Sequence, residues 1–514
     1  MVSTWKRSSQ IEDSGHTAAN PAGTRFAATS AGKRSADVAD PIAGERNPSR
    51  ESCPLPDLMR SACWAFAGFI LFAVFSGRCL YGDGAHEFIR VLEAGTFVEL
   101  MKVRGLAFDC FELFLVIAIR LGVTDLHLLR LAFGIGCFLP WPLALVVCHH
   151  FAPTHFWLVA LACAAGYLNA AFMPVGEHIV AHALYWIALF ALLYVRPLTP
   201  WAGALLLVSA AILCRSYESL AFLGPPLAGI ALWRIARRPA GKLERAVLLL
   251  AAALFIIAST TAMKGVLYPE IPANFGDFKH GILAELLSPG WTSAWSGVWI
   301  LLLLVVLLSP TVRRGIAYRV SLFLLACGLA IWGLGPILVP SLLMPGSQQR
   351  ARFLELVVPL VLLPVALALS WQPTRLGIYR SWLMRFSASF LLAQSLWQLS
   401  ATWQWTGFVG TVRGILGSRT GPVLLAATPL ADVNADGYAL GFDWSWANPC
   451  LSIALSPGGQ VRSLILSPTR PGWQPFDPLD AQQLPRLERY GVDYRRYVAS
   501  LVAGRPPEHP SGAK

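Results

Sequence analysis

The stretch SACWAFAGFILFAVFSG, residues 61–77, lies between Arg60 and Arg78 and contains no charged side chain. Because an α-helix rises about 1.5 Å per residue, an apolar run of about 17–20 residues crosses roughly 30 Å of hydrocarbon. The stretch is therefore predicted to be a transmembrane helix, and similar runs recur up to about residue 400. One such run is also typical of a signal anchor, whereas many of them indicate a polytopic membrane protein.

Eleven further apolar segments follow the first, which makes twelve candidate spans. They cover residues 106–122, 126–148, 155–172, 179–195, 201–214, 219–233, 246–263, 291–309, 316–338, 353–371 and 381–399. The composition agrees with this pattern, because 55% of the 514 residues are hydrophobic and only 14% are charged, where soluble proteins have about 25% charged residues. We predict an all-α polytopic membrane protein with about 11–12 transmembrane or re-entrant helices.

The net charge of +12 comes from basic residues that lie in short clusters between the apolar segments. This placement is typical of the loops that set membrane topology, and it does not indicate a nucleic-acid partner. The clusters at 234–245, 313–314 and 375–385 are predicted to be cytoplasmic. If the N-terminus is also cytoplasmic, an even number of segments crosses before Arg234, and one early segment does not cross. The segment 126–148, which contains Pro140, is the candidate for a broken or re-entrant element.

Three regions are predicted from these patterns. Residues 1–56 are rich in Ser, Ala, Gly, Arg and Asp, and we predict a disordered cytoplasmic tail there. Residues 57–400 are predicted to form the multi-helix transmembrane domain, with an outer loop at 78–105 whose apolar spacing indicates an interfacial helix. In residues 401–514 the long apolar runs stop, which predicts a small soluble α/β domain on the periplasmic side.

Short apolar runs in this C-terminal domain are predicted to be buried strands. They are PVLLAAT at 422–428, CLSIALS at 450–456 and VRSLILS at 461–467. The sequence SPGG at 456–459 is predicted to be a hairpin turn.

Ionisable residues beside membrane spans are costly, which makes them functional candidates. On the predicted topology, four groups face the non-cytoplasmic side: Asp83, His86 and Glu87; Glu177, His178 and His182; Arg215, Tyr217 and Glu218; Arg350 and Arg352. Carboxylates act as general bases or bind hard divalent cations, and guanidinium groups bind phosphate oxygens in pairs. The predicted catalytic residues are therefore Asp83, Glu87 and Glu177. The predicted phosphate-binding residues are Arg350, Arg352 and Arg215, and the predicted supporting residues are His86 and His178.

A purely structural interpretation competes with each of these assignments. Acidic residues and histidines at span ends often act as interfacial anchors or helix caps, and Arg350 and Arg352 also fit a flank that reaches to the membrane surface. Asp109 and Glu112 fit a flank of the second segment better than an extension of the acidic site. The acidic residues are also compatible with a divalent metal, Mg²⁺ or Mn²⁺, but the sequence does not define its ligands.

Three stretches carry a resemblance to a known family: YGDGAHEF at 81–88, MPVGEH at 173–178 and QQRARFLELVVPLVLLP at 348–364. Their arrangement resembles the GT-C superfamily of membrane glycosyltransferases, which includes the protein O-mannosyltransferase-like and lipopolysaccharide-modifying enzymes. Those proteins have an acidic motif in the first outer loop, many spans and often an outer C-terminal domain. The resemblance implies a polyprenyl-phosphate sugar donor, Asp83 as catalytic base or metal-linked carboxylate, and Arg350 or Arg352 near the donor phosphate.

The expected function is transfer of a hexosyl or pentosyl group from this lipid-linked donor to an envelope glycan or lipid acceptor. We expect it at the periplasmic face of a bacterial inner membrane, in contact with membrane lipids. A transporter or flippase for an envelope precursor is the first alternative, although the chain shows no symmetry between two halves. A non-catalytic membrane scaffold is the second alternative.

Overall fold

The computed structural model describes residues 56–99, 101–167, 176–237, 241–268, 348–371, 380–424, 447–466 and 476–504. Among them, side chains are described except at 348–357, 371, 380–382 and 504. Residues 1–55 of the predicted tail, the segments 291–309 and 316–338, and the side chains of Arg350 and Arg352 lie outside this description.

Fourteen α-helices and two strands lie within the described residues. The helices are α1 (Asp57–Phe75), α2 (Asp83–Ala94), α3 (Gly105–Arg120), α4 (Leu126–Phe138), α5 (Pro140–Phe151), α6 (Phe156–Gly166), α7 (Glu177–Tyr194), α8 (Pro200–Leu213), α9 (Leu220–Arg237), α10 (Lys242–Leu267), α11 (Gln348–Trp371), α12 (Arg380–Ser418), α13 (Asn448–Leu455) and α14 (Arg495–Gly504). The strands are β1 (Gly421–Leu424) and β2 (Ser463–Leu466). Each predicted apolar segment that falls in the described part coincides with a helix.

Three described helices, α1, α7 and α10, are long enough and apolar enough to cross a membrane. The pair α4 and α5 adds a fourth if it is one broken span, because the two helices meet at a bend of 45°. The bend lies at Leu139, directly before Pro140, so the predicted break within 126–148 is confirmed. Large apolar side chains such as Trp64 and Leu71 on α1 are exposed, which is compatible with insertion into lipid.

Helix α7 lies at the centre of the described bundle and contacts α3, α5, α6, α8, α9 and α11. Its two ends differ in chemistry. Glu177 begins the helix, and near the other end Arg234 donates hydrogen bonds to the carbonyl oxygens of Ala191 and Leu192, at 3.2 and 3.1 Å. Arg234 also pairs with Glu244 at 2.5 Å, so the last turn of α9 and the first turn of α10 lie at the C-terminal end of α7.

Helix α12 is longer than the predicted segment 381–399, because it continues without interruption to Ser418. Residue 400, the predicted boundary of the transmembrane domain, therefore lies inside this helix. Its central part packs against α1, where Trp405 donates a 3.3 Å hydrogen bond to the carbonyl oxygen of Ser76. Close by, the buried Arg78 donates a 2.8 Å hydrogen bond to the Thr402 hydroxyl.

The C-terminal segment, defined here as residues 421–424, 447–466 and 476–504, contains helices and a two-stranded sheet. Strands β1 and β2 confirm the first part of the run 422–428 and the centre of the run 461–467. They pair in parallel, with Gly421 opposite Ser463. The predicted hairpin at 456–459 is wrong, because the residues before it form the helix α13 and not a strand. That sequence instead joins α13 to β2 through a short 3-10 turn.

The predicted strand at 450–456 is also wrong, because these residues belong almost entirely to the buried helix α13. A short apolar run has no periodicity that separates a buried strand from a buried helix. Pro449, in the first turn, has the backbone geometry that starts a helix, and the Ser452 hydroxyl donates a 2.7 Å hydrogen bond to the Asn448 carbonyl. Both features favour the helix.

Candidate functional site

Asp83 is the first residue of α2, the helix predicted within the outer loop. Gly82 precedes it with φ 58° and ψ −127°, a backbone conformation that glycine adopts without strain. The first turn of a helix has free N–H groups and a positive dipole end, so a carboxylate is favourable there. Asp83 is partly exposed, which leaves its carboxylate accessible from outside the fold.

Glu87 lies one turn further along α2 and is fully buried, with 0% exposure. No described residue donates a hydrogen bond to either of its carboxylate oxygens. Burial raises the pKa of Glu87 well above its usual value, and the nearby carboxylates of Glu112, Asp83 and Glu177 raise that pKa further. The positive charge of Arg90 offsets part of this effect. Burial and the neighbouring carboxylates therefore favour the neutral carboxylic acid form of Glu87.

Glu112 on α3 is also fully buried. One of its carboxylate oxygens accepts a 2.9 Å hydrogen bond from the backbone N–H of Val98, and no described residue donates to the other. Together, Asp83, Glu87, Glu112 and Glu177 are named the acidic cluster below. Its members come from α2, α3 and the start of α7, so folding collects carboxylates that are far apart in the sequence.

Arg104 joins the acidic cluster to the loop between α8 and α9. It lies in the short 3-10 turn Lys102–Arg104, directly before α3. Its Nη1 is 3.1 Å from Oε1 of Glu177, and its Nη2 is 2.7 Å from Oε1 of Glu218. The Arg104 guanidinium also lies over the Tyr217 ring, 5.2 Å from its centroid. One side chain therefore orients the N-terminus of α7 and the loop before α9.

The group formed by Arg104, Glu177 and Glu218 has a net negative charge, because one guanidinium pairs with two carboxylates. Burial lowers the pKa of Arg104, but the charges of Glu177 and Glu218 outweigh burial and raise the pKa above its usual value. Arg104 is therefore permanently charged. Removal of such a buried charge leaves its partners without compensation, which is more costly than the net stabilisation of the pair itself.

Three histidines lie beside these groups. His86 Nδ1 is 3.9 Å from Glu87 Oε1, and burial, followed by the charge of Arg90, lowers the pKa of His86 to about 4. His178 is buried, with its ring centroid 5.8 Å from that of Tyr217. His182 Nε2 lies 3.2 Å from the Ser219 hydroxyl. At neutral pH His86 is uncharged, so it supports the site as a polar neighbour and not as a cation.

A narrow crevice lies one to two turns along α7 from Glu177. Its lining residues include His182, Trp141, Trp186, Gly166, Val358 and Pro359. The indole nitrogens of Trp141 and Trp186 are buried and have no hydrogen-bond partner among the described residues. The crevice is therefore mainly aromatic, with His182 as its link to the polar side of α7.

Of the three predicted phosphate-binding arginines, Arg215 alone has a described side chain. Arg215 is partly exposed and pairs with Glu99 at 3.1 Å, and it donates a 2.7 Å hydrogen bond to the Lys102 carbonyl. Arg350 and Arg352 lie in the first turn of α11, but their side chains are outside the description. Their role therefore stays a prediction.

Sequence reasoning missed Arg104 and placed Glu112 at the flank of a span. Arg104 is one of two basic residues in the short polar stretch before α3, and that pattern alone gives no sign of its partners. Glu112 is the residue that the sequence could have indicated, since carboxylates inside an apolar helix are unusual. Glu218 was grouped with the outward-facing residues but was not assigned a role.

The predicted Mg²⁺ or Mn²⁺ ion requires several converging oxygen ligands. In the part of the chain that the structure describes, no three His, Cys, Asp or Glu side chains are arranged to hold a metal. Because Mg²⁺ is often held by only one or two carboxylates together with substrate phosphates, the metal stays a prediction, and no step below is assigned to it.

Comparison with known proteins adds no assignment, because no family model, curated protein or solved structure matches this chain.

Proposed function

We propose that the protein is an integral membrane glycosyltransferase that transfers a sugar from a polyprenyl-phosphate donor to an envelope acceptor. The observation that carries this proposal is the acidic cluster, in which the partly exposed Asp83 lies beside the buried Glu87. A general base must reach the proton that it removes, so Asp83 suits this role better than Glu87.

The proposed reaction is an inverting transfer. The oxygen of the acceptor hydroxyl attacks the anomeric carbon of the donor, and the hydroxyl proton passes to the Asp83 carboxylate. The bond from the anomeric carbon to the phosphate oxygen breaks, and its electron pair leaves with the polyprenyl phosphate. Cationic groups stabilise that leaving phosphate, and Arg350 and Arg352 are the proposed residues.

The buried groups have supporting roles in this proposal. Burial favours the protonated form of Glu87, so Asp83 is the carboxylate proposed to remove the proton. Arg104 holds Glu177 in place through their 3.1 Å ion pair and so sets the electrostatic environment of the cluster. Arg104 is a positioning residue, because it acts through Glu177.

The proposed location is a bacterial inner membrane, with a cytoplasmic N-terminus and a periplasmic C-terminal domain. The opposite ends of α7 support this orientation. The helix has 18 residues, which corresponds to about 27 Å and is close to the thickness of the hydrocarbon layer. The acidic cluster lies at one end and the basic residues around Arg234 at the other, and basic residues beside a span favour the cytoplasmic side.

The experiment incubates the purified full-length protein with an envelope extract as the acceptor and with polyprenyl-phosphate glucose, mannose or arabinose radiolabelled in the lipid, and it measures release of labelled polyprenyl phosphate. Asp83→Asn is expected to lower the release at least about 100-fold, since it removes the general base. Glu93→Gln is the matched control, because Glu93 is exposed on the same helix. Equal release by Asp83→Asn and the unmodified protein, or no release from any of the donors, would overturn the proposal.

A further inference from the structure

The C-terminal end of α2 is bound by residues of the C-terminal segment. Arg489 Nη2 donates a hydrogen bond to the carbonyl oxygen of Leu92 at 2.5 Å, and the Tyr490 hydroxyl donates to the same oxygen at 3.1 Å. The last carbonyl groups of a helix have no partner within the helix itself. Residues almost 400 positions further along the chain thus provide the missing donors.

Gly95 ends α2 in the left-handed conformation, with φ +68°. A Cβ atom at this position would lie 2.7 Å from Arg489 Nη2, which is too close for real atoms. A side chain at position 95 would therefore have to displace the flexible end of Arg489 as well as adopt a left-handed backbone conformation.

Helix α13 extends the contact along α2. All eight of its residues are buried, and the fully buried Cys450 interacts electrostatically with Glu87, Arg90 and Glu93. Helix α2 is amphipathic, yet its six consecutive residues Gly84–Ile89 are all buried. More than one side of the helix is therefore covered by other parts of the protein. It lies between the helix bundle and the C-terminal segment.

We propose that Arg489 and Tyr490 are positioning residues, which fix α2 and thereby the Asp83 and Glu87 side chains that it carries. The two hydrogen bonds restrain one end of a 12-residue helix whose other end begins at Asp83. A shift of the helix end moves both carboxyl groups relative to Glu112 and Glu177. The structural part of this inference is independent of the reaction, and only its effect on turnover rests on the proposed function.

The test compares Arg489→Ala, Tyr490→Phe and the double variant with the unmodified full-length protein in detergent, by amide hydrogen exchange. In the double variant, exchange in the last turns of α2 is expected to rise at least about tenfold, because two hydrogen bonds to one carbonyl are lost. The single Tyr490→Phe change is expected to give a smaller rise. Exchange in β2 and α14 is expected to stay unchanged, which shows that the C-terminal segment remains folded.

Arg495→Ala is the matched control, because it removes an exposed ion pair with Asp493 in the same segment and does not contact α2. Unchanged exchange in α2, or an equal rise in α2 and α14, would contradict the positioning role. Donor kinetics give an independent readout: a positioning role predicts a lower kcat with little change in KM for the polyprenyl-phosphate sugar. If the unmodified protein has no activity with these donors, the proposed function fails while the exchange result still decides the role of Arg489 and Tyr490.

Discussion

Arg104 and Glu177 form a 3.1 Å ion pair although 73 residues separate them in the sequence. The contact fixes the turn before α3 to the first residue of α7, and Glu218 accepts hydrogen bonds from the same guanidinium at 2.9 and 3.0 Å. Arg104 therefore links the acidic cluster to Glu218 through direct ion pairs.

Arg104→Met is expected to lower the free energy of unfolding by about 3 kcal/mol, because it leaves two largely buried carboxylates without their partner. Thermal or denaturant unfolding of the detergent-solubilised protein measures the change. The control is Arg215→Met, which removes the more exposed pair with Glu99 and is expected to cost about 1 kcal/mol or less. Equal destabilisation by the two variants would show that Arg104 has no special role.

Glu87→Gln is expected to stabilise the protein increasingly as the pH rises from about 5 to 8. The pKa of Glu87 is raised in the fold, so above its usual value near 4.5 the folded protein retains a proton that the unfolded chain releases. Stability of the unmodified protein therefore falls as pH rises through this window, and glutamine has no proton to lose. The advantage at pH 7 is at most about 3 kcal/mol, since each unit of pH contributes about 1.4 kcal/mol.

Melting curves recorded at several pH values test this second prediction. The pKa of His86 is lowered to about 4, which makes the fold less stable as pH falls below about 6.5, but this contribution is common to both proteins. Glu93→Gln serves as the control on the exposed face of α2. Parallel pH profiles for Glu87→Gln and the unmodified protein would mean that Glu87 is ionised in the fold.

Gly95→Ala is expected to destabilise the protein by at least about 1 kcal/mol, because alanine is strained at φ +68° and its Cβ meets the Arg489 guanidinium. Gly229→Ala provides the comparison, since Gly229 lies inside α9 and has no atom within 4 Å of the added Cβ. That substitution is expected to leave the melting temperature unchanged or raise it. A melting temperature for Gly95→Ala as high as that of Gly229→Ala would contradict the close contact with Arg489.

The helices were predictable from local sequence because each long apolar run has the length and composition that α-helices in lipid require. The break before Pro140 was predictable for the same local reason, since proline restricts the residues that precede it. The run at 450–456 was not, because its burial against α2 and β2 depends on distant partners. Local pattern does not choose between strand and helix for so short a run.

The candidate site was predictable in part. Asp83, Glu87 and Glu177 stand out as charges beside apolar segments, and their electrostatic coupling in the fold agrees with the prediction that they come together. The role of Arg104 depends on Glu177 and Glu218, which are 73 and 114 residues away, so no local pattern indicates it. The contact of Arg489 with Leu92 is likewise a property of tertiary structure alone.

We propose that the acidic cluster faces the periplasm while the basic residues around Arg234, at the far end of α7, face the cytoplasm. Single cysteines at the exposed positions Glu93 and Arg245, introduced after replacement of the ten native cysteines, report these two sides. With a membrane-impermeant maleimide added to intact cells, we expect labelling at position 93, and labelling at position 245 only after the membrane is permeabilised. Labelling of both positions from the same side, or of position 245 alone in intact cells, would contradict the account.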